Sequence, residues 1–350
     1  MQRLPSFVLA LVALFGVPAC ARKTPSVPVS RGAEVYGNMC AVCHGENGEG
    51  YKADQAPRLA HPNFLASVSD AFLRDAIGNG RRGTTMSAWG KERGGPLDHR
   101  DVEELRKFLR TWSKDKPAVL DERPLTGDAG RGAAVYAREC ERCHGVRGIG
   151  GQNVGIGNPE LLRNASNGFL RFAINKGRPG TQMPAFENVI TPAELEDVVA
   201  LVRGWGAGST EAPPPPKMPE KIPLGPVPLN PHGPEPVGFE TYPKTTHGEI
   251  IQRELARGAR MALLDARASS DYLNDHIAGA VSVPFYDPAP YFDGLPKNAW
   301  LVCYCACPHA ESGTLAGKLQ KAGFTKVTVL DEGLGFWKSK NFGTHTGDKP

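Results

Sequence analysis

The sequence predicts a multidomain protein in which two all-α domains precede one α/β domain, whose parallel sheet is flanked by helices. Three observations support this fold class. A block of about a hundred residues occurs twice, and each copy closes on an amphipathic helical pattern. A stretch dense in proline follows, over residues 207–240. Beyond it, short apolar runs typical of strands alternate with helical patterns, which indicates a parallel sheet.

Length and composition limit the number of domains and the classes of function. At 350 residues the chain exceeds one typical core, so two or three domains are expected. The formal charge of +4 is small for this length and gives no reason to expect a nucleic-acid partner. With 40% hydrophobic and 8% aromatic residues, the composition is that of ordinary soluble domains.

The first 20 residues are typical of an export signal. Arg3 precedes an apolar run over residues 7–17, which is too short to span a bilayer comfortably. The run leads into "VPAC", which resembles the lipobox of bacterial lipoproteins and would make Cys20 the lipidated residue. Cleavage near Ala19, with Cys20 incidental, is the alternative. We therefore expect an exported, periplasmic protein held to a membrane by a lipid on Cys20, with residues 21–29 as a tether.

Two segments of the chain repeat each other. The string "RGAEVYGNMCAVCHG" at residues 31–45 reappears as "RGAAVYARECERCHG" at residues 131–145. Downstream, "FLRDAIGNGRRGTTMSAWG" matches "FLRFAINKGRPGTQMPAFE". The sequence thus predicts two homologous helical domains, over residues 30–113 and 126–206, joined by a short linker at 114–125.

Each copy ends on a helix whose start can be predicted. Asp98 is the expected N-cap of the first closing helix. Thr191, followed by Pro192 and Glu194, has the pattern of a stronger N-cap for the second.

Each copy also contains the pattern C-x-x-C-H, which is the attachment signature of c-type haem. The pattern supplies two thiols spaced to add across the vinyl groups of haem, and a histidine that faces the iron. Zinc is the alternative, but it needs further ligands in both copies, and His61 and His99 have no counterpart in the second. The predicted attachment cysteines and proximal histidines are Cys40, Cys43 and His44 in the first copy and Cys140, Cys143 and His144 in the second.

A methionine recurs as well, in the equivalent strings "GRRGTTM" at Met86 and "GRPGTQM" at Met183. A thioether is a soft ligand suited to haem iron, and His/Met ligation raises the reduction potential of haem. Packing in the core is the alternative role for methionine. The repeated position favours ligation, so Met86 and Met183 are the predicted distal iron ligands.

With these motifs, both copies resemble class I cytochrome c domains, which have an N-terminal helix running into C-x-x-C-H, a methionine loop and a C-terminal helix. The resemblance implies two covalently bound haem c groups. It also implies outer-sphere electron transfer with periplasmic or membrane redox partners as the default role, because a six-coordinate haem has no open site.

The eight cysteines would ordinarily indicate disulfides in an exported protein. Their spacing argues otherwise, because one lies in the lipobox pattern, four lie in the two C-x-x-C-H motifs and three alternate over residues 303–307. Few or no structural disulfides are therefore expected.

The α/β region, residues 241–350, contains four strings in a characteristic order. These are "LLDAR" at 263–267, "HIAGA" at 276–280, a buried strand that ends in Tyr304–Cys305, and "LDEGLGFW" at 330–337. Together they resemble a rhodanese domain, whose catalytic cysteine ends the central strand. The resemblance implies that Cys305 is a nucleophile that forms a persulfide, in a loop whose backbone N–H groups favour an anion.

The loop departs from the usual rhodanese pattern. Pro308 stands where a glycine is usual and removes a backbone donor. Ala310 replaces an arginine that would help to bind an anionic donor such as thiosulfate, which weakens the case for thiosulfate:cyanide transfer. Cys307 is placed to resolve a Cys305 persulfide as a disulfide, and His309 to supply charge or a proton.

Two alternatives to persulfide chemistry remain for this loop. Cys303, Cys305, Cys307 and His309 together would suit Cu(I) or zinc if the backbone stayed extended. Pro308 and the following helical pattern favour a curled loop instead. An inactive domain is the other alternative.

The leading hypothesis is a dihaem electron carrier in periplasmic sulfur metabolism, which receives electrons from sulfane sulfur bound at Cys305. The second is a sulfurtransferase whose haems dock it to a redox partner. The third is an electron-transfer relay with a non-catalytic rhodanese-like binding module. The expected partners are redox proteins and a sulfur compound or persulfide donor.

Overall fold

The structure, a computed structural model, describes residues 29–207, 227–306 and 309–350. The predicted signal peptide with Cys20, and Cys307 with Pro308 in the cysteine loop, lie outside the described residues.

The first domain is helical, as predicted, and its polypeptide begins with a helix that runs into the first C-x-x-C-H motif. Its helices are α1 (Arg31–Val35), which continues through a π-helical turn (Tyr36–Cys40) into α2 (Ala41–His44), then α3 (Pro62–Ser67), α4 (Asp70–Asn79) and α5 (His99–Arg110).

The second domain repeats this order. Its helices are α6 (Ala129–Glu139), α7 (Glu141–His144), α8 (Pro159–Asn164), α9 (Asn167–Lys176) and α10 (Pro192–Trp205). Both predicted N-caps are confirmed. The Asp98 side chain accepts from the Asp101 amide, and Thr191 forms a complete capping box with Glu194.

In each domain the first helix crosses the last at very short range. A Cβ atom added to Gly32 would lie 2.1 Å from the carbonyl oxygen of Glu104, and one added to Gly132 would lie 2.1 Å from that of Asp197. The repeated "RG" at the start of each copy therefore permits backbone-to-backbone contact between the N- and C-terminal helices.

The two helical domains contact each other through reciprocal surfaces. His61, at the start of α3, bonds through Nε2 to the Pro179 carbonyl at 2.9 Å, and Asn158, at the start of α8, donates to the Arg82 carbonyl at 2.9 Å. Each domain thus presents the N-terminus of a short helix to the methionine loop of the other. The rings of Phe72 and Phe169 pack between them, with centroids 5.5 Å apart.

The third domain is α/β, with a parallel sheet as predicted. Its elements are α11 (Gly248–Ala256), β1 (Met261–Asp265), α12 (Ser269–Asn274), β2 (His276–Ile277), β3 (Ala280–Ser282), β4 (Trp300–Tyr304), α13 (Ala310–Lys321), β5 (Val327–Val329), α14 (Gly333–Ser339) and β6 (Thr344–His345). The main sheet has the order β3-β1-β4-β5, with all neighbours parallel, and β2 pairs with β6 in a small antiparallel ribbon. The central position of β4 places the residue after it, Cys305, at the middle of the carboxyl edge.

The segment just before the third domain packs against it. Glu235 forms ion pairs with Arg260 and Lys326, at 2.8 and 2.5 Å, and accepts from the Trp300 indole. Part of the stretch expected to be an extended spacer is therefore held on the α/β domain. Across the described residues, no helix combines the length and the apolar character needed to cross a membrane.

Candidate haem and cysteine sites

Each C-x-x-C-H motif lies on a short helix that directly follows a longer one. Cys40 and Cys140 precede α2 and α7, and the second cysteine and the histidine of each motif lie within those helices. Tyr36 and Tyr136 each donate from their hydroxyl to the carbonyl of the glycine after the motif, Gly45 or Gly145, at 2.6 and 2.7 Å. The two motifs therefore share one local geometry.

The hydrogen bonds of the two histidines suit the iron ligation that the sequence predicts. Nδ1 of His44 lies 2.9 Å from the Pro57 carbonyl oxygen, and Nδ1 of His144 lies 2.8 Å from that of Val154. Because a carbonyl only accepts, Nδ1 carries the proton and Nε2 keeps its lone pair for a metal. Burial also lowers the pKa of both imidazoles, which favours the neutral, ligating form.

The methionine loops are closed in the same way in both domains. The Arg81 amide donates to the Met86 carbonyl at 2.9 Å, and the Arg178 amide donates to that of Met183 at 2.8 Å. The methionine amides donate in turn to Thr84 and Thr181 hydroxyls, at 3.1 and 3.2 Å. Met86 and Met183 are thus held in equivalent, partly buried loops, which suits the distal ligation that the sequence predicts.

The residues around these loops fit haem, which carries two propionates. The Arg178 guanidinium donates to the Gly177 carbonyl at 3.0 Å and lies over the Phe64 ring, but it has no carboxylate partner among the described residues. Burial lowers the pKa of Arg178 to about 10. A partly buried cation of this kind suits an anionic group of a bound cofactor.

Cys305 directly follows β4 at the centre of the sheet and is 1% exposed. Its Sγ lies 3.3 Å from the Ser312 hydroxyl in the first turn of α13, and its carbonyl accepts from the Leu334 amide. His309 has a positive φ of 67°, which turns the chain sharply into α13. The helix begins at Ala310, and its N-terminus faces the cysteine loop.

The described residues do not form the Cu(I) or zinc site that was the alternative at this loop. Cys303 lies within β4 and is fully buried, and burial raises the pKa of its thiol. The His309 Nε2 atom instead pairs with Asp331 at 3.2 Å. The one cluster of possible metal ligands found in the described ranges is His247, Asp331 and Glu332, which contains no cysteine.

Glu311 is a functional candidate that the sequence analysis did not identify. It lies in the first turn of α13 and is 6% exposed. Burial, and after it the negative charge of a Cys305 thiolate, raises its pKa well above the usual carboxyl value. A glutamate at the start of a helix is common for other reasons, so nothing in the sequence alone would have marked it.

The cysteine loop of the α/β domain faces the first haem-attachment helix. Helix α13 contacts α2, and burial raises the pKa of the Cys43 thiol to about 12, with further contributions from the negative charges of Glu311 and Cys305. In the sequence, these two domains are separated by the second helical domain and the proline-rich stretch. In the structure they touch, and the contact joins the predicted nucleophile to the first C-x-x-C-H motif.

This contact extends along the methionine loop of the first domain. Ser87 donates to Asp271 on α12 at 2.6 Å, and Ser269 and Ser270 donate to the carbonyls of Gly94 and Ala88, at 2.6 and 2.7 Å. The Trp89 ring packs edge-on against Phe285 and Tyr286, with centroids 6.5 and 5.7 Å away.

The chain matches two families in separate regions. Residues 27–109 and 127–202 match the family described as cytochrome c oxidase, cbb3-type, subunit III. Residues 249–340 match the family described as rhodanese-like domain.

Individual relatives agree with these matches. The cbb3-type cytochrome c oxidase subunit FixP of Bradyrhizobium diazoefficiens is 28% identical over 191 residues, which cover 51% of this chain and 61% of that protein. The subunit CcoP of Azospirillum sp. (strain B510) is 27% identical over 198 residues, which cover 51% of this chain and 62% of that protein. This chain therefore matches less than two thirds of the length of either relative.

Among solved structures, the rhodanese-like domain of an Anabaena sp. protein is 28% identical over 29% of this chain and 78% of its own, with a TM-score of 0.28.

Proposed function

Because the chain consists of two cytochrome c domains of the cbb3 subunit III type and a C-terminal rhodanese-like domain, we propose that it is an electron carrier for sulfur oxidation. The rhodanese-like domain takes up sulfane sulfur at Cys305, and the cytochrome domains carry away the electrons that oxidation of this sulfur releases. The observation that carries the proposal is the contact between the Cys305 loop and the helix that contains Cys43.

Two covalently bound haem c groups fit the cytochrome domains. Cysteines of the two motifs hold them by thioether bonds, with His44 and Met86, or His144 and Met183, as the iron ligands. Bound there, each haem supplies a one-electron redox site. The protein residues orient the imidazoles through their Nδ1 hydrogen bonds and close the methionine loops.

The sulfur-transfer step belongs to Cys305. Its thiolate attacks the outer sulfur of a persulfide or polysulfide, the S–S bond of the donor breaks, and a new S–S bond forms on Cys305 while the donor leaves as a thiolate. This transfer needs no oxidant. The Ser312 hydroxyl and the N-terminus of α13 are placed to stabilise the terminal anionic sulfur. Release of that sulfur as sulfite takes up three water molecules and gives off four electrons and six protons. The two haems would take these electrons one at a time, with reoxidation by a redox partner between steps.

The expected location follows from the N-terminal pattern. We propose that the protein is exported and held to a membrane through a lipid on Cys20, within reach of membrane or periplasmic redox partners. Cys20→Ser should abolish incorporation of a radiolabelled fatty acid and release the protein from the membrane fraction. Unchanged labelling and fractionation would contradict the lipid anchor.

The sulfur role is tested by the visible spectrum of the oxidised holoprotein while thiosulfate and then polysulfide are added. We expect polysulfide to reduce the wild type faster than Cys305→Ser, as followed by growth of the α-band, and thiosulfate to act weakly because Ala310 replaces the usual arginine. The mutant trace measures direct chemical reduction by polysulfide.

Cys303→Ala is the matched control, because this thiol is buried within β4 only two residues away. It should reduce at the wild-type rate. Identical traces for wild type and Cys305→Ser would contradict the sulfur-linked role.

An electron-transfer relay with a non-catalytic rhodanese-like module is the second candidate function. The burial of Cys305, which is 1% exposed in the docked arrangement, favours it. Reduction by a cytochrome partner that is unchanged in Cys305→Ser, together with identical polysulfide traces, would support this candidate.

A further inference from the structure

The two methionine loops present an arginine in the same position. Arg81 and Arg178 each stand five residues before the methionine, and each guanidinium donates to the carbonyl of the preceding glycine at 3.0 Å. Because the two loops share these hydrogen bonds, a difference in nearby charge acts on two otherwise similar sites.

The first loop has carboxylates around it. Asp75 on α4 accepts from the Arg81 guanidinium at 3.4 Å. Glu160, from α8 of the second domain, accepts from the Arg82 amide at 2.5 Å, pairs with the Arg82 side chain and is only 5% exposed. The α/β domain adds Asp271, which accepts from Ser87 at 2.6 Å.

The second loop lacks all three groups. In the repeated string Phe172 stands where the first copy has Asp75, and Pro184 stands where it has Ser87. The counterpart of Glu160, the residue after the first proline of the short helix, is the neutral Asn63, which donates to the Gly177 carbonyl at 3.2 Å. Arg178 therefore keeps an uncompensated charge among the described residues.

Other charged side chains near the loops have smaller effects. Arg82 offsets part of the charge of Glu160, but its side chain is 56% exposed against 7% for Glu160, so water screens it more strongly. Lys176 is paired with Glu187 in an exposed ion pair beside the second loop. Arg163 makes a smaller contribution to the pKa shift of Arg81 than burial, Asp75 or Glu160. Its side chain is exposed, so water screens its charge.

We propose that Asp75 and Glu160 make the haem of the first cytochrome domain the lower-potential of the two, so that electrons enter at the first domain and leave from the second. Reduction of a haem adds one negative charge, which nearby carboxylates oppose and an unpaired cation favours. The inference rests on the proposed electron-transfer function and not on the sulfur chemistry. It agrees with the docking of the Cys305 loop against the first domain, because a donor at that loop reaches the lower-potential site first.

The test is a potentiometric titration of the holoprotein with redox mediators, followed at the α-band. Asp75→Asn removes the charge, keeps the size of the side chain and retains one oxygen acceptor. Asn79 and Asn164 donate to different oxygens of Asp75, so the variant keeps one of these two hydrogen bonds. It should raise the lower midpoint potential and leave the upper one in place, so that the two waves move closer together. Glu160→Gln should move the same wave in the same direction.

Asp101→Asn is the matched control, because Asp101 pairs with Arg31 at 2.8 Å on the same domain, away from the methionine loop. It should leave both midpoints unchanged. If the upper wave moves, or if neither wave moves in Asp75→Asn and Glu160→Gln, the inference is wrong. Haem content and unfolding curves identify a variant that has lost its fold, and the other carboxylate variant then decides.

The titration contains no sulfur compound, so it is independent of the proposed function at Cys305. A shift of the lower midpoint with no Cys305-dependent reduction would leave this inference standing and remove the sulfur-linked role. Cys305-dependent reduction with no shift of the lower midpoint would support the sulfur-linked role and contradict this inference.

Discussion

Glu311 occupies an environment that is unusual for a glutamate. Glutamate is almost never fully buried unless it is paired, yet Glu311 is 6% exposed beside Cys305 and close to Cys43. A neutral carboxylic acid at this place can donate a hydrogen bond and take part in proton transfer when a thiol or persulfide reacts. Its role is a property of the folded loop rather than of its position in the chain.

The raised pKa of Glu311 makes a prediction about pH. Above the ordinary carboxyl value of about 4.3, the unfolded chain loses this proton while the folded protein keeps it. Stability therefore falls as pH rises from that value towards the folded pKa. We expect Glu311→Gln, which mimics the protonated acid, to be more stable than wild type at neutral pH and equal to it below about pH 4. Chemical unfolding of both holoproteins across this range measures the difference, and parallel profiles would contradict the prediction.

At the scale of secondary structure, the helix starts follow local rules. Asp98 and Thr191 were identifiable as caps because a cap satisfies amide groups only two or three residues away. The glycines at the helix crossings, Gly32 and Gly132, repeat in the sequence, but their reason appears only where another helix passes within contact distance of their Cα atoms.

The capping box of α10 should have a measurable contribution to stability. Thr191→Ala removes the acceptor for the Glu194 amide and leaves the Glu194 carboxylate without its reciprocal threonine hydroxyl. We expect a loss of about 1 kcal/mol in the free energy of unfolding. Thr191→Ser, which keeps the hydroxyl, is the control and should retain most of the stability in the same denaturant titration. Equal losses in the two variants would show that the hydroxyl is not what matters.

At the scale of the whole molecule, the third domain covers one side of the first. The contact combines side-chain hydroxyls of Ser269 and Ser270, which donate to backbone carbonyls, with the aromatic packing of Trp89. It brings the carboxyl edge of the parallel sheet, where ligands bind in open α/β folds, against the haem-attachment helix α2. The carboxyl edge that holds Cys305 therefore faces the first domain and not open solvent alone.

This arrangement predicts that loosening the contact exposes the cysteine. Replacing Ser269 and Ser270 together by alanine removes two hydrogen bonds, each with a net contribution of about 1 kcal/mol, and leaves two carbonyls of the first domain without their partners. Alkylation of Cys305 by iodoacetamide, followed by mass spectrometry, should become faster.

Ser339→Ala is the control for that experiment, since its hydroxyl donates to the Phe336 carbonyl within its own helix. It should leave the alkylation rate unchanged. An unaltered rate in the double variant would mean that the docked contact does not limit access to Cys305.

The sequence by itself determined the three domains, both haem motifs, the paired methionines and the position of Cys305 at the end of a central strand. These features follow from periodicity, repeats and short motifs, in which the interacting residues are close together in the chain. The haem assignment is supported by the family matches. The described residues do not form the Cu(I) or zinc site that was the alternative at the cysteine loop.

Only the tertiary structure decided which cytochrome domain meets the cysteine loop and which charges surround each methionine. Glu160 of the second domain bonds to Arg82 in the first methionine loop, 78 residues away in the chain. Asp271 of the α/β domain bonds to Ser87, 184 residues away. Electrostatic interaction depends on distance in space and on burial, and neither can be read from a chain whose domains are separated by linkers. The two copies are therefore similar in motif and different in electrostatic environment.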